Sequence, residues 1–149
     1  MSRWVLGLVL LLACSSKDEK RAPQAEVESE GERAAKAIRE SFRVVLAEFH
    51  ADVVGGKLDA AYERLAPMYR ASVSPERFAT VTGHPLFAPE VTFTTSNASI
   101  SAGTAKVQMF AKGALGTSQV ELRCTLVDRA WKIAGISVDG TPVLPTPSP

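Results

Sequence analysis

Between Glu32 and Val54, Ile38, Phe42, Val45, Leu46, Phe49 and Val53 fall within one arc roughly 80 to 100° wide on a helical wheel. Lys36, Glu40 and Arg43 fall opposite. This pattern predicts a long amphipathic helix whose apolar stripe covers a core, stopped by Gly55-Gly56. Leu58, Ala61, Tyr62 and Leu65 continue at helical spacing as far as Pro67, whose missing N–H ends or kinks the helix, and Met68-Tyr69 begin another short turn. Ser74-Pro75-Glu76 pairs a capping hydroxyl with a proline at the first helical position, which opens a further short helix carrying Phe78 and Val81 and ending at Gly83-His84-Pro85.

From Val91 onward the period becomes two. Val91 and Phe93, then Ala105, Val107, Met109 and Ala111, then Val120, Leu122, Cys124 and Leu126 alternate with polar residues, as half-buried strands do. Turn signals at Ser96-Asn97, Gly113 to Gly116 and Asp128 to Ala130 leave no room for helical crossovers, so the strands form antiparallel hairpins. Trp131 and Ile133 share one phase and Ile136 and Val138 the other, with Gly135 between them at the place for a bulge. The expected fold class is α+β, a long N-terminal helix and two short helices packed on a roughly four-stranded antiparallel meander. Phe42, Phe49, Leu122 and Trp131 are expected to meet in its core.

The two ends read differently. Ser15 to Gly31 is polar, carries one β-branched residue, Val27, and no aromatic, so it reads as a flexible tether for a domain over 32–139. A coil of that length spans roughly 20 to 25 Å on average. Gly140 to Pro149 contains Pro142, Pro145, Pro147 and Pro149 and reads as a disordered Pro-rich tail over 140–149.

At the start, Arg3 precedes an apolar run from Trp4 that is too short to span a bilayer and closes on Leu11-Leu12-Ala13-Cys14. This resembles the lipobox of bacterial lipoproteins. The resemblance implies that residues 1–13 are a signal peptide and that Cys14 is acylated and becomes the N-terminus of a lipidated stretch over 14–31. Ser15 after the cysteine resembles the outer-membrane sorting signal of bacteria with two membranes. An exported protein held at the outer membrane, facing the periplasm, is therefore expected. Loss of Arg3 would leave 16 basic against 16 acidic residues, too even a balance to concentrate nucleic acid or anionic lipid, so attachment would come from the acyl chains. Cys124 is then the one remaining thiol and no intramolecular disulfide forms.

The long helix, Gly55 to Arg70, Ser74 to Phe78 and the closing Trp131-Lys132-Ile133-Ala134-Gly135-Ile136 together resemble the nuclear transport factor 2-like superfamily, in particular its small exported, SnoaL-like (cystatin-like) members. That resemblance implies a cone-shaped domain whose space between helix and sheet is a pocket or is simply filled, and its enzymes place an acidic base and a hydrogen-bond donor on inward positions. Here the inward strand positions are aliphatic or small, while Glu121 and Arg123 lie outward. The residues expected to line a pocket are Phe42, Phe49, Tyr62, Tyr69, Val107, Met109, Leu122, Cys124 and Trp131.

Individual candidates for chemistry read as structural. His50 is a helix-edge residue, His84 a loop residue and Glu90 a loop cap. Two histidines and one thiol barely reach a zinc site and are not spaced as one, and no cofactor motif occurs. The reading ranked first is a non-catalytic, membrane-anchored domain that binds an apolar small molecule or a protein partner in the cell envelope. A structural or interaction accessory of an envelope complex ranks second, and an isomerase- or cyclase-type enzyme last.

Overall fold

The computed structural model describes residues 29–145. The signal peptide expected over 1–13, Cys14 and most of the expected tether lie outside the described residues. The architecture is α+β: helices first, then an antiparallel meander in the order β1-β2-β3-β4-β5.

Helix α1 spans Glu30–Val54 and begins two residues before the position its apolar stripe marks. The cause is a capping box. The Ser29 hydroxyl accepts from Glu32 N–H at 3.2 Å while the Glu32 carboxylate accepts from Ser29 N–H at 2.8 Å, which satisfies two donors that the helix end would leave bare. Phe42, Leu46, Phe49, His50 and Val53 are buried, and the stripe frays toward solvent at Ile38.

Helix α2, Leu58–Glu63, stops four residues before Pro67. Leu65 instead forms a parallel bridge with Ile133, with Ile133 N–H donating to Arg64 O (2.9 Å) and Ala66 N–H to Ile133 O (2.7 Å). Pro67 then opens a one-turn helix, α3 (Pro67–Arg70), at the position where a missing N–H costs nothing. The turn expected at Ser74 follows as α4, Pro75–Phe78, capped by the Ser74 hydroxyl, and two 3-10 turns, Ala79–Gly83 and Pro85–Phe87, lead to the sheet.

Strands β1 (Thr92–Ser101), β2 (Thr104–Gly113), β3 (Gly116–Val127) and β4 (Ala130–Val138) pair in sequence. One face carries Ala105, Val107, Met109, Ala111, Val120, Leu122 and Cys124, all buried. Leu126 has the same phase and yet is exposed, because it lies at the end of the sheet where helical cover runs out. The register of β3 on β4 slips where Arg123 faces Gly135 and Cys124 faces Ile133, so the bulge expected beside Gly135 returns Ile133 and Ile136 to one core. A Cβ on Gly135 would stand 2.9 Å from the Arg123 guanidinium, which packs across the strand there.

The expected disordered tail is corrected as far as Pro145. Thr141–Pro142 forms β5 against Ser137 and Val138, and Val143 N–H donates to Ile136 O at 2.9 Å. Leu144 is buried, and the Tyr69 hydroxyl donates to Pro145 O at 2.7 Å. Together, Leu65 and β5 cover the outer edge of β4, an edge that would otherwise present unpaired backbone groups.

Candidate functional site

Of the residues expected to line a pocket, Phe42, Phe49, Tyr69, Val107, Met109, Leu122 and Cys124 are buried in a single packed core, with Tyr62 and Trp131 partly buried against it. Phe42 meets Trp131 with ring centroids 5.1 Å apart, while Phe49 meets Phe78 at 6.1 Å and Phe87 at 5.8 Å. Phenylalanines from three segments thus take up the space between helix and sheet. The space between α1 and the sheet is filled by side chains.

The tyrosine hydroxyls are committed to backbone. Tyr62 O–H lies 2.6 Å from Val73 O and 3.0 Å from Arg70 O, and Tyr69 O–H is taken by Pro145. Burial pushes the Tyr69 hydroxyl up to about 12. Burial likewise pushes the Cys124 thiol up to about 12. Neither group is set for proton transfer or nucleophilic attack near neutrality.

The open space lies elsewhere. A cavity of about 380 Å³ opens where the segment from His84 to Val91 faces the β2–β3 hairpin. Leu86, Val91, Ala111 and Val138 supply apolar walls, with Leu115 at the rim and His84, Glu90 and Ser118 as polar groups. Local sequence explains its shape. A Cβ at Gly113 would stand 3.0 Å from Val91 Cγ2, so the glycine lets the hairpin approach the opposite wall. Gly113 pairs with Gly116, which leaves Ala114 and Leu115 as a two-residue tip with Leu115 92% exposed.

One histidine lines this wall and a second holds it from behind. His50, expected at the helix edge, is turned inward: its ring is stacked on Phe87 at 6.0 Å and edge-on to Phe93 at 5.2 Å. Its Nε2–H donates to Ala88 O at 3.1 Å, which fixes the cavity segment to α1. His84 accepts Leu86 N–H on Nδ1 at 3.1 Å, so in the neutral ring Nε2 carries the proton and remains a donor. Partial burial lowers the pKa of His84 and favours that neutral form. Glu90 is exposed at the same cavity, and no hydrogen bond joins it to His84 among the described residues. The sequence pattern placed both in loops and did not show that they line one cavity, because the 3-10 turn after His84 leaves no periodic signal.

Among the described residues, no group of three or more histidine, cysteine, aspartate or glutamate side chains is placed to hold a metal ion, and no helix is long and apolar enough to cross a membrane. No protein-family model, curated protein or solved structure matches the chain.

Proposed function

We propose that this is a lipoprotein of the bacterial envelope, anchored through Cys14, whose nuclear transport factor 2-like domain binds an apolar small molecule in the cavity between His84–Val91 and the β2–β3 hairpin. The cavity carries this reading. Its volume of about 380 Å³ falls within the range of small-molecule sites, and its wall is mainly apolar with a few polar groups. A ligand with an apolar body would cover Leu86, Val91, Ala111 and Val138, and a polar end would meet the His84 donor and the Glu90 carboxylate. Binding without chemistry is favoured because the tyrosine hydroxyls point to backbone carbonyls and Cys124 is a buried thiol.

A neutral apolar probe, N-phenyl-1-naphthylamine, tests the site. It is expected to bind with one-to-one stoichiometry and to bind at least tenfold more weakly to Leu115→Asp, a substitution at an exposed tip that leaves folding intact. Equal binding by the variant, or no saturable binding by the wild type, would remove the cavity from the proposal.

A further inference from the structure

The polar groups of the cavity beside the β2–β3 hairpin differ in what they can exchange with a ligand. Three polar side chains line it, His84, Glu90 and Ser118, and no lysine or arginine does. Lys112, next to the wall in sequence, takes the opposite face of β2 from Ala111, as alternation along a strand requires.

His84 is a donor only. Its Nδ1 is occupied by Leu86 N–H, so the neutral ring presents Nε2–H to the cavity. Glu90 is an acceptor only, and it brings the one formal charge of the wall. Ser118 takes either role. It is the cross-strand partner of Ala111 and so faces the same side of the sheet as that buried alanine.

Burial orders this space. Leu86 and Ala111 are buried, His84 and Ser118 are half-buried, and Glu90 is exposed. An apolar body therefore leaves water against Leu86 and Ala111, while its polar end stays near solvent with Glu90.

Three kinds of head differ on these groups. A carboxylate or phosphate brings acceptors only: it suits His84 but meets Glu90 acceptor to acceptor and with like charge, and no cation of the wall offsets this. An ammonium brings donors only: it suits Glu90, but the His84 N–H faces it donor to donor. Either charged head also gives up hydration beside an apolar wall, which costs more than the same transfer of a neutral group. A hydroxyl or primary carboxamide both donates and accepts, so it offers a partner to each of the three side chains and brings no charge to desolvate.

From this complementarity we infer that the cavity selects an uncharged amphiphile: an apolar body with a hydroxyl or carboxamide head that donates to Glu90 and accepts from His84 Nε2–H. The inference rests on the binding reading above and adds the class of ligand. The polar groups act by exclusion, since the apolar contacts are the same whatever the head: Glu90 rejects anionic amphiphiles and the His84 donor rejects cationic ones. The difference amounts to one mismatched hydrogen bond, which corresponds to about tenfold in affinity.

Ligands of one chain length that differ only in the head test it: 1-octanol, octanamide, octanoate and octylamine. Each is titrated near neutral pH against N-phenyl-1-naphthylamine bound to the full-length Cys14→Ala chain, which has no acyl groups of its own. Octanol and octanamide are expected to displace the probe at concentrations about tenfold lower than octanoate or octylamine. Glu90→Gln, at an exposed position, replaces the charge with a group that also donates, and is expected to bring octanoate to within about twofold of octanol.

If octanoate or octylamine displaces the probe as well as octanol does, or if the gap between octanoate and octanol persists in Glu90→Gln, the ligand class is overturned and the cavity stands. The same holds if none of the four displaces a bound probe. If the probe itself does not bind saturably, or if octanol binding is unchanged in Leu115→Asp, the cavity reading falls and the ligand class with it.

Discussion

Cys124 shows how burial decides the behaviour of a single reactive group. Its thiol sits among apolar strand neighbours and is pushed up to about 12, so at pH 8 it is almost wholly protonated. In a Cys14→Ala chain, Ellman's reagent should react with Cys124 at least a hundredfold more slowly in the native state than in denaturant. Comparable rates would show an open core. His84 behaves in the opposite sense, since burial lowers its folded pKa below the ordinary value of 6.5. Above 6.5 both folded and unfolded chains carry it neutral. As pH falls through 6.5 the unfolded chain takes up the proton first, so stability is lost between 6.5 and the lower folded value. His84→Asn, which keeps an acceptor for Leu86 N–H, should reduce the stability lost between pH 7 and pH 5, measured by urea denaturation; an unchanged loss would clear His84 of that role. The strand phase made Cys124 legible as a buried residue. The same rule failed for Leu126, because alternation states which face a side chain takes and not whether anything covers that end of the face.

At the scale of elements, the apolar stripe of α1 and the meander were legible because each repeats over many residues, and two of the turns, at Gly113 to Gly116 and Asp128 to Ala130, fall where expected, whereas the turn expected at Ser96-Asn97 is a bulge inside β1 and the chain reverses at Ala102-Gly103 instead. Boundaries were less so. The capping box at Ser29 and Glu32 was present in the sequence but sat inside a stretch whose polar composition reads as tether. Proline density hid β5 for a related reason: an edge strand can accept Pro142 where an inner strand cannot, since no partner needs its N–H on the open side. Three substitutions separate these contributions. Leu144→Ala should cost about 2 to 3 kcal/mol, as truncation of a buried leucine does, whereas a disordered tail would give a loss near zero. Phe49→Ala, fully enclosed, should cost about 3 to 5 kcal/mol, and Trp131→Ala, only partly buried, about 2 kcal/mol. Denaturant titrations that reversed that order would place the long helix wrongly on the sheet.

For the whole molecule, the filled interior and the displaced cavity are two sides of one packing solution. Phe42 and Phe49 of α1 meet Phe78 and Phe87 from two other segments, and no period in the sequence reports that convergence. The space left over lies at the hairpin end, where Gly113 admits Val91 and Leu115 is held out in water. On the reading proposed here, lipid holds one end of the chain and the cavity presents an apolar site to the envelope. Native mass spectrometry of the protein purified from its own membrane in mild detergent tests both halves at once. The expected spectrum shows a chain that starts at an acylated Cys14 and carries a bound small molecule, with the bound molecule missing from Leu115→Asp. A chain that retains residues 1–13 or bears no acyl groups, or one that carries no small molecule in either form, would contradict it.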